Sequence, residues 1–172
     1  DAVKPALDEA ATERALRLAM QDAAMNGLTG LHDASIPLSQ FRVYQHLADR
    51  GELPVRIYAM ADGNAAALDW LCENGRYRHP SGRLQMRTVK VIADGALGSR
   101  GAALLADYSD DPGNRGLMVT SPEDLQVVAD KAHRCGVQMA THAIGDRVNR
   151  TVLDTYARAL GGDVNGDHRW RI

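Results

Sequence analysis

The chain has 172 residues, 45% of them hydrophobic and 24% charged, with a formal net charge of -2 at pH 7. That length suits one domain with a sizeable core, and the composition is ordinary for a globular protein. The charge leaves no basic excess for nucleic acid and no polybasic cluster for a membrane surface, and no apolar run approaches the roughly 18–20 residues that span a bilayer.

Asp8 to Met25 carries Leu16, Ala19 and Ala23 at helical spacing and stops at Asn26-Gly27, which predicts a first helix. A short apolar run, Leu28 to Leu31, then reaches His32 and Asp33 as a strand. Ser39 to Arg50 reads as a second helix ending before Gly51, and Val55 to Met60 as a strand entered through Pro54. Asp62-Gly63-Asn64 offers a turn and cap for a helix over Ala65 to Glu73, closed by Asn74-Gly75. Pro80-Ser81-Gly82 breaks the chain before its longest strand, Leu84 to Ala93.

A glycine- and aspartate-rich loop over 95–119 follows, longer than ordinary connections and so a candidate functional loop. Ser121-Pro122-Glu123-Asp124 has a cap, a proline at the first helical position and an acidic first turn. The helix it opens is expected to bury Leu125, Val128, Ala132 and Cys135 and to stop at Gly136. Val137 to Thr141 is a strand. Asp146, as N-cap, opens a helix to Leu160 with Val148, Val152, Leu153 and Tyr156 on one side. His168 to Ile172 reads as a strand just starting, and the first residue is Asp1 rather than Met, so the chain is expected to be a fragment. Cys72 and Cys135 show no paired spacing and are expected to be two buried or half-buried thiols, free in a reducing compartment; the location expected is cytoplasmic.

Strict alternation of strands and helices means a parallel sheet, either open and doubly wound or closed as a (β/α)8 barrel. No Gly-x-Gly-x-x-Gly follows the first strand, which weakens the dinucleotide-binding version. One partial α/β domain over residues 1–172 is the economical reading.

Alternation along a barrel strand sends one set of side chains under the helices and the other into the lumen. On the longest strand Val89, Val91 and Ala93 suit helix packing, which turns Thr88, Lys90 and Ile92 inward. An inward lysine is costly unless paired, modified or functional. On the next strand Val137, Met139 and Thr141 share one face and Gln138, Ala140 and His142 the other, so His142 arrives at the C-terminal mouth with Lys90 at the matching level one strand earlier. A salt-bridged structural lysine and a hydrogen-bonded structural histidine are the plain alternatives. His32 and Asp33 end the first strand in the same way; either lines the pocket, or Asp33 simply caps the next turn.

The run Thr88-Val89-Lys90-Val91-Ile92-Ala93-Asp94-Gly95-Ala96-Leu97-Gly98-Ser99-Arg100-Gly101-Ala102-Ala103-Leu104 strongly resembles the fourth-strand region of the YtcJ-like branch of the amidohydrolase superfamily, which includes N-substituted formamide deformylases. Tyr108 to Gly116 looks like that branch's loop, Thr141-His142-Ala143-Ile144-Gly145-Asp146 like its fifth-strand motif, and Gly27 to Ala34 like its second strand. The resemblance implies about strands 2–5 of a (β/α)8 barrel with their helices and the start of strand 6. It implies a metal-dependent hydrolase of C–N bonds, amide or formamide, acting on a small molecule through a metal-activated water. One or two divalent metals, commonly zinc, would be held in part by Lys90 as a carboxylated lysine and by His142. Asp94, Ser99, Arg100 and Asp33 are candidates for substrate contact or for orienting the metal ligands.

The departures matter as much. The superfamily's first-strand His-X-His, sixth-strand histidine and eighth-strand aspartate lie outside this sequence, so no catalytic residue is certain within it and the chain alone is expected to be inactive. Asp94, Ser99 and Arg100 have a second reading as a loop folded by its own hydrogen bonds, with Gly95, Gly98 and Gly101 making the turns. His46, His79, His133 and His168 share no spacing and read as surface residues, and Ser99 has no nearby base of the kind a serine hydrolase uses. The alternative function is a non-catalytic α/β module that hides open sheet edges by forming a homo-oligomer, its site residues now structural.

Overall fold

The structure, a computed structural model, describes residues 8–63, 65–163 and 165–172. It divides into two compact units, Asp1–Arg87 and Thr88–Ile172.

In the first unit the Asp8 carboxylate accepts the Ala11 N–H at 2.7 Å and so opens helix α1 (Glu9–Met25), which buries Met20 and Ala23. Strand β1 (Gly30–Ile36) pairs in parallel with β2 (Arg56–Asp62), from Gly30 against Arg56 to Asp33 against Ala59. The register then slips by one residue around Ser35, whose φ is 63°. Helix α2 (Leu38–Asp49) buries Phe41, Val43, Tyr44, Leu47 and Ala48, and α3 (Ala65–Asn74) buries Ala67, Leu68 and Leu71. Burying a side chain the size of Leu47, Ile57, Leu68 or Leu71 contributes about 1.5–3 kcal/mol, so these four set the scale of this core. Tyr77 meets Phe41 and Trp70 edge-on while those two are tilted to each other, with ring centroids 5.1–5.9 Å apart.

Two expectations change here. Asp62 closes β2 rather than opening a turn, and the cap expected at Asn64 lies outside the described residues. A two-residue strand β3 (Tyr77–Arg78), absent from the sequence reading, pairs antiparallel with the start of β4 (Leu84–Ile92) around His79-Pro80-Ser81-Gly82. His79 is not a surface residue either: its side chain is 11% exposed and its ring bonds both Ser81 and Asp49, closing the hairpin.

In the second unit β4 runs parallel to β5 (Gln138–His142), with Thr88 against Gln138, Lys90 against Ala140 and Ile92 against His142. Helix α4 (Pro122–Arg134) opens as expected, Ser121 Oγ accepting the Asp124 N–H at 3.1 Å. Its buried face is Leu125, Ala129 and Ala132; Val128 is only half-buried, because the stripe steps by four and then three residues. Helix α5 (Asp146–Ala159) buries Val148, Val152, Thr155, Tyr156 and Ala159, leaving Leu153 half-exposed on its flank. Gly145, not Asp146, is the N-cap, because the Asp146 carboxylate turns to accept the Leu105 N–H at 2.8 Å. The segment at Arg171 does add in parallel to β5: Thr141 N–H donates to the Arg171 carbonyl and Arg171 N–H to the Met139 carbonyl, both at 3.0 Å.

Neither Cys72 nor Cys135 is a free thiol; both are disulfide-bonded. Spacing along a sequence does not decide whether a thiol is oxidised, and the ground for expecting a reducing compartment falls with it. Among the described residues no helix is long and apolar enough to cross a membrane.

Candidate functional site

Parallel strands place register partners on the same face of the sheet. Thr88, Lys90 and Ile92 therefore share a face with Gln138, Ala140 and His142. The Thr88 hydroxyl confirms it by donating to Gln138 Oε1 at 3.2 Å. The opposite face carries Val89, Val91, Met139 and Thr141, all buried, and Thr141 Oγ1 lies 2.6 Å from the Tyr156 hydroxyl of α5. The helices thus cover the valine face, and the lysine–histidine face is the one the parity of the sequence selected.

Exposure rises along that face toward the strand ends. Thr88 and Gln138 are buried, Lys90 is half-buried, Ile92 is 46% exposed and the His142 side chain 35%. Lys90 and His142 are not level, contrary to expectation. His142 is paired with Ile92, one facing step beyond Lys90, because the ladder register and not the residue count sets the offset. The strand spacing and rise put such a diagonal pair about 8 Å apart at Cα, a gap the four-carbon stem of lysine can shorten.

The Lys90 amine is held below its ordinary pKa, first by burial and then by the charge of the Arg171 guanidinium. Both causes act against the ammonium and in favour of a neutral amine or an anionic derivative of it. Arg171 was missed by the sequence reading. Only its pairing with β5 brings it to Lys90, and no local signal announces that.

Asp94, two residues beyond β4, is 1% exposed. Its Oδ2 accepts the Ala103 and Gly145 N–H groups, each at 2.9 Å, and its Oδ1 accepts the Ile144 N–H at 3.0 Å. His142 Nε2 lies 3.8 Å from the same Oδ1. The backbone around this carboxylate is closely packed: a Cβ on Gly145 would stand 1.9 Å from the Ala103 carbonyl oxygen, and one on Gly116 2.0 Å from that of Ala102. Farther out, the loop is closed by its own contacts. Ser99 Oγ donates to the Ala96 carbonyl, and Arg100 pairs with Asp110 at 3.0 Å, holding that carboxyl below its usual range. Arg115 does the same for Asp107.

Asp33 belongs to the first unit and turns to α2, where Tyr44 Oη donates to it at 2.7 Å and Gln40 Nε2 at 2.8 Å. Burial, and then the Asp33 charge, push the Tyr44 phenol far above its ordinary pKa. His32, its neighbour in sequence, points the other way and stacks on Tyr58 with centroids 4.6 Å apart.

For a divalent metal the donor set present is partial. Of the two residues on this face, the His142 imidazole is a ligand type that zinc takes, whereas Lys90 would become one only as an anionic derivative; among the described residues no group of three or more His, Cys, Asp or Glu could hold an ion.

The fold so built is shared with known metal-dependent hydrolases. The structure is similar to two of them, both described as uncharacterized. One is from Pyrococcus horikoshii (TM-score 0.81, 30% identity, 88% of this chain and 31% of that one), the other from Pyrococcus furiosus (TM-score 0.83, 26% identity, 91% and 33%). The amidohydrolase family profile matches residues 1–172, and the chain belongs to that family. Among curated relatives it is 32% identical over 158 residues to the putative amidohydrolase YtcJ of Bacillus subtilis, covering 87% of this chain and 28% of that one. It is 40% identical over 89 residues to the protein LONG AFTER FAR-RED 3 of Arabidopsis thaliana, covering 52% and 15%. The chain thus spans a third or less of the length of each of these proteins.

Proposed function

We propose that this chain is the part of a (β/α)8 amidohydrolase domain that supplies a carboxylated Lys90 and His142 to a divalent-metal site, zinc by preference, in an enzyme hydrolysing a C–N bond of an amide or formamide. The observation that carries this is the surroundings of Lys90. A half-buried amine beside a guanidinium is poor as an ammonium. It is well placed as a nucleophile toward carbon dioxide: its lone pair forms the new N–C bond, one proton leaves the nitrogen, and an anionic carbamate results. The Arg171 charge that disfavours the cation favours that anion. A divalent metal supplies positive charge that polarises a carbonyl and acidifies water. The chain's own part is to present one imidazole and one anionic oxygen donor from neighbouring strands, with Thr88 and Gln138 closing the face beneath them.

Two ligand positions do not complete a catalytic centre, so the chain alone is expected to bind metal weakly and to hydrolyse amides no faster than background. The test is carbon-13 NMR of the chain supplied with labelled bicarbonate, together with zinc titration. A carbamate resonance that disappears in Lys90→Ala, with zinc affinity that falls at least tenfold in both Lys90→Ala and His142→Ala, is the expected result. A folded chain with neither signal would refute the proposal and leave a non-catalytic α/β module.

A further inference from the structure

The Asp94 carboxylate is buried between two segments of the chain. A buried carboxylate is stable only where its lone pairs are met. It offers about four acceptor sites, and among the described residues three are occupied. Oδ2 takes two N–H groups, from Ala103 and Gly145, while Oδ1 takes only that of Ile144. The open site is therefore on Oδ1, the oxygen nearest His142 Nε2 at 3.8 Å. A ring movement of about 0.8 Å would bring that pair to hydrogen-bonding distance. The three donors come from two places, the 95–119 loop and the two residues that follow Ala143, so one carboxylate fastens the loop to the turn that carries the histidine.

We infer that Asp94 is the positioning residue of this site: it pins the loop and the Ile144–Gly145 turn together and orients the His142 imidazole through Nε2–H, leaving the other ring nitrogen with its lone pair outward for a metal. This rests on the reading of His142 as a ligand. Asp94 acts here as the partner of the imidazole and not as a ligand: three of its acceptor sites take backbone amides and the one left on Oδ1 is the one that takes Nε2–H. The same geometry predicts what asparagine does at this position. Its carbonyl oxygen takes the Oδ2 place, where two N–H groups require an acceptor. Its amide NH2 then faces His142 and donates to Nε2, so the proton moves to the opposite ring nitrogen.

The experiment is long-range 1H–15N correlation of histidine-labelled, metal-free chain at about pH 8.5, above the usual histidine range near 6.5, with His142→Gln assigning the signals. In the native chain His142 should be the Nε2–H tautomer by about tenfold or more, the ratio a hydrogen bond to a charged acceptor supports. Asp94→Asn should bring that ratio below one. A purely structural carboxylate would leave the tautomer unchanged while altering amide exchange at Ala103, Ile144 and Gly145. An even mixture in the native chain overturns the inference without need of the variant, and so does the same ratio in both proteins. Cobalt(II) added to the native chain separates the two readings. If the tautomer is fixed but cobalt leaves the His142 signals untouched, the ligand reading of His142 has failed and the positioning of its ring stands.

Discussion

Gly145→Ala puts the packing around Asp94 to a direct test. Gly145 has φ -68°, a conformation any residue adopts, so backbone preference is not at issue. The obstacle is contact: the added Cβ would lie 1.9, 2.4 and 2.6 Å from the oxygen, carbonyl carbon and nitrogen of Ala103, all of them backbone. No side-chain rotation relieves this, and restoring an ordinary contact requires the segments to part by about 1.5 Å. Both Ala103 and Gly145 donate to Asp94 Oδ2 at 2.9 Å, so such a movement breaks at least one bond to a buried charge. Overpacking of about 1–3 kcal/mol and the loss of a charge-assisted bond of about 1.5–3 kcal/mol together give a destabilisation of about 3–5 kcal/mol. That is a large part of the roughly 5–15 kcal/mol that holds a domain together. Urea unfolding followed by the fluorescence of Trp170, which packs edge-on against Tyr156 at 4.9 Å, reports on this unit. With a slope of about 1–3 kcal/mol/M the midpoint should fall by more than about 1 M. Gly98→Ala, where nothing lies within 4 Å, is the control and should change stability by less than about 0.5 kcal/mol. Equal midpoints for Gly145→Ala and the native chain would refute the account of the junction.

Tyr156 Oη donates to the Arg171 carbonyl at 3.1 Å and so accepts from Thr141 Oγ1, 2.6 Å away; Tyr156→Phe leaves both without that partner and should cost about 1–3 kcal/mol in the same assay. Its phenol is pushed up to about 12, chiefly by burial, from an ordinary 10.0. Between those values the unfolded chain loses the proton first, so the native chain binds more protons there and stability falls as pH rises from about 10 to 12, with no effect of this group below. Tyr156→Phe should lessen that alkaline slope, and an unchanged slope in pH-dependent unfolding would count against it. The half-exposed face around Ile92 and His142 leads to the expectation that the chain associates in solution, and a single monomeric mass in light scattering across the micromolar range would contradict it.

Local chemistry made much of this chain legible in its sequence. Asp8 and Ser121 open their helices because a short oxygen-bearing side chain meets an unpaired N–H wherever it occurs. The alternation of valines on β4 and its match on β5 fixed which face carries Lys90 and His142, since side chains alternate along a strand whatever surrounds it. Tertiary structure decided the rest. The one-step offset between those two residues belongs to the ladder register, and the approach of Arg171 to Lys90 to a pairing between distant segments. Asp33 went to Tyr44 and Gln40 because a helix packs on that side of β1, and the cysteines became bonded for reasons no spacing records. Asp94 shows the division most clearly. Its place after the strand is written in the sequence, but the three N–H groups it gathers come from segments that meet only in the fold. Periodicity and capping are properties of a few consecutive residues, whereas the environment of a charge is set by whichever backbone the whole chain brings beside it.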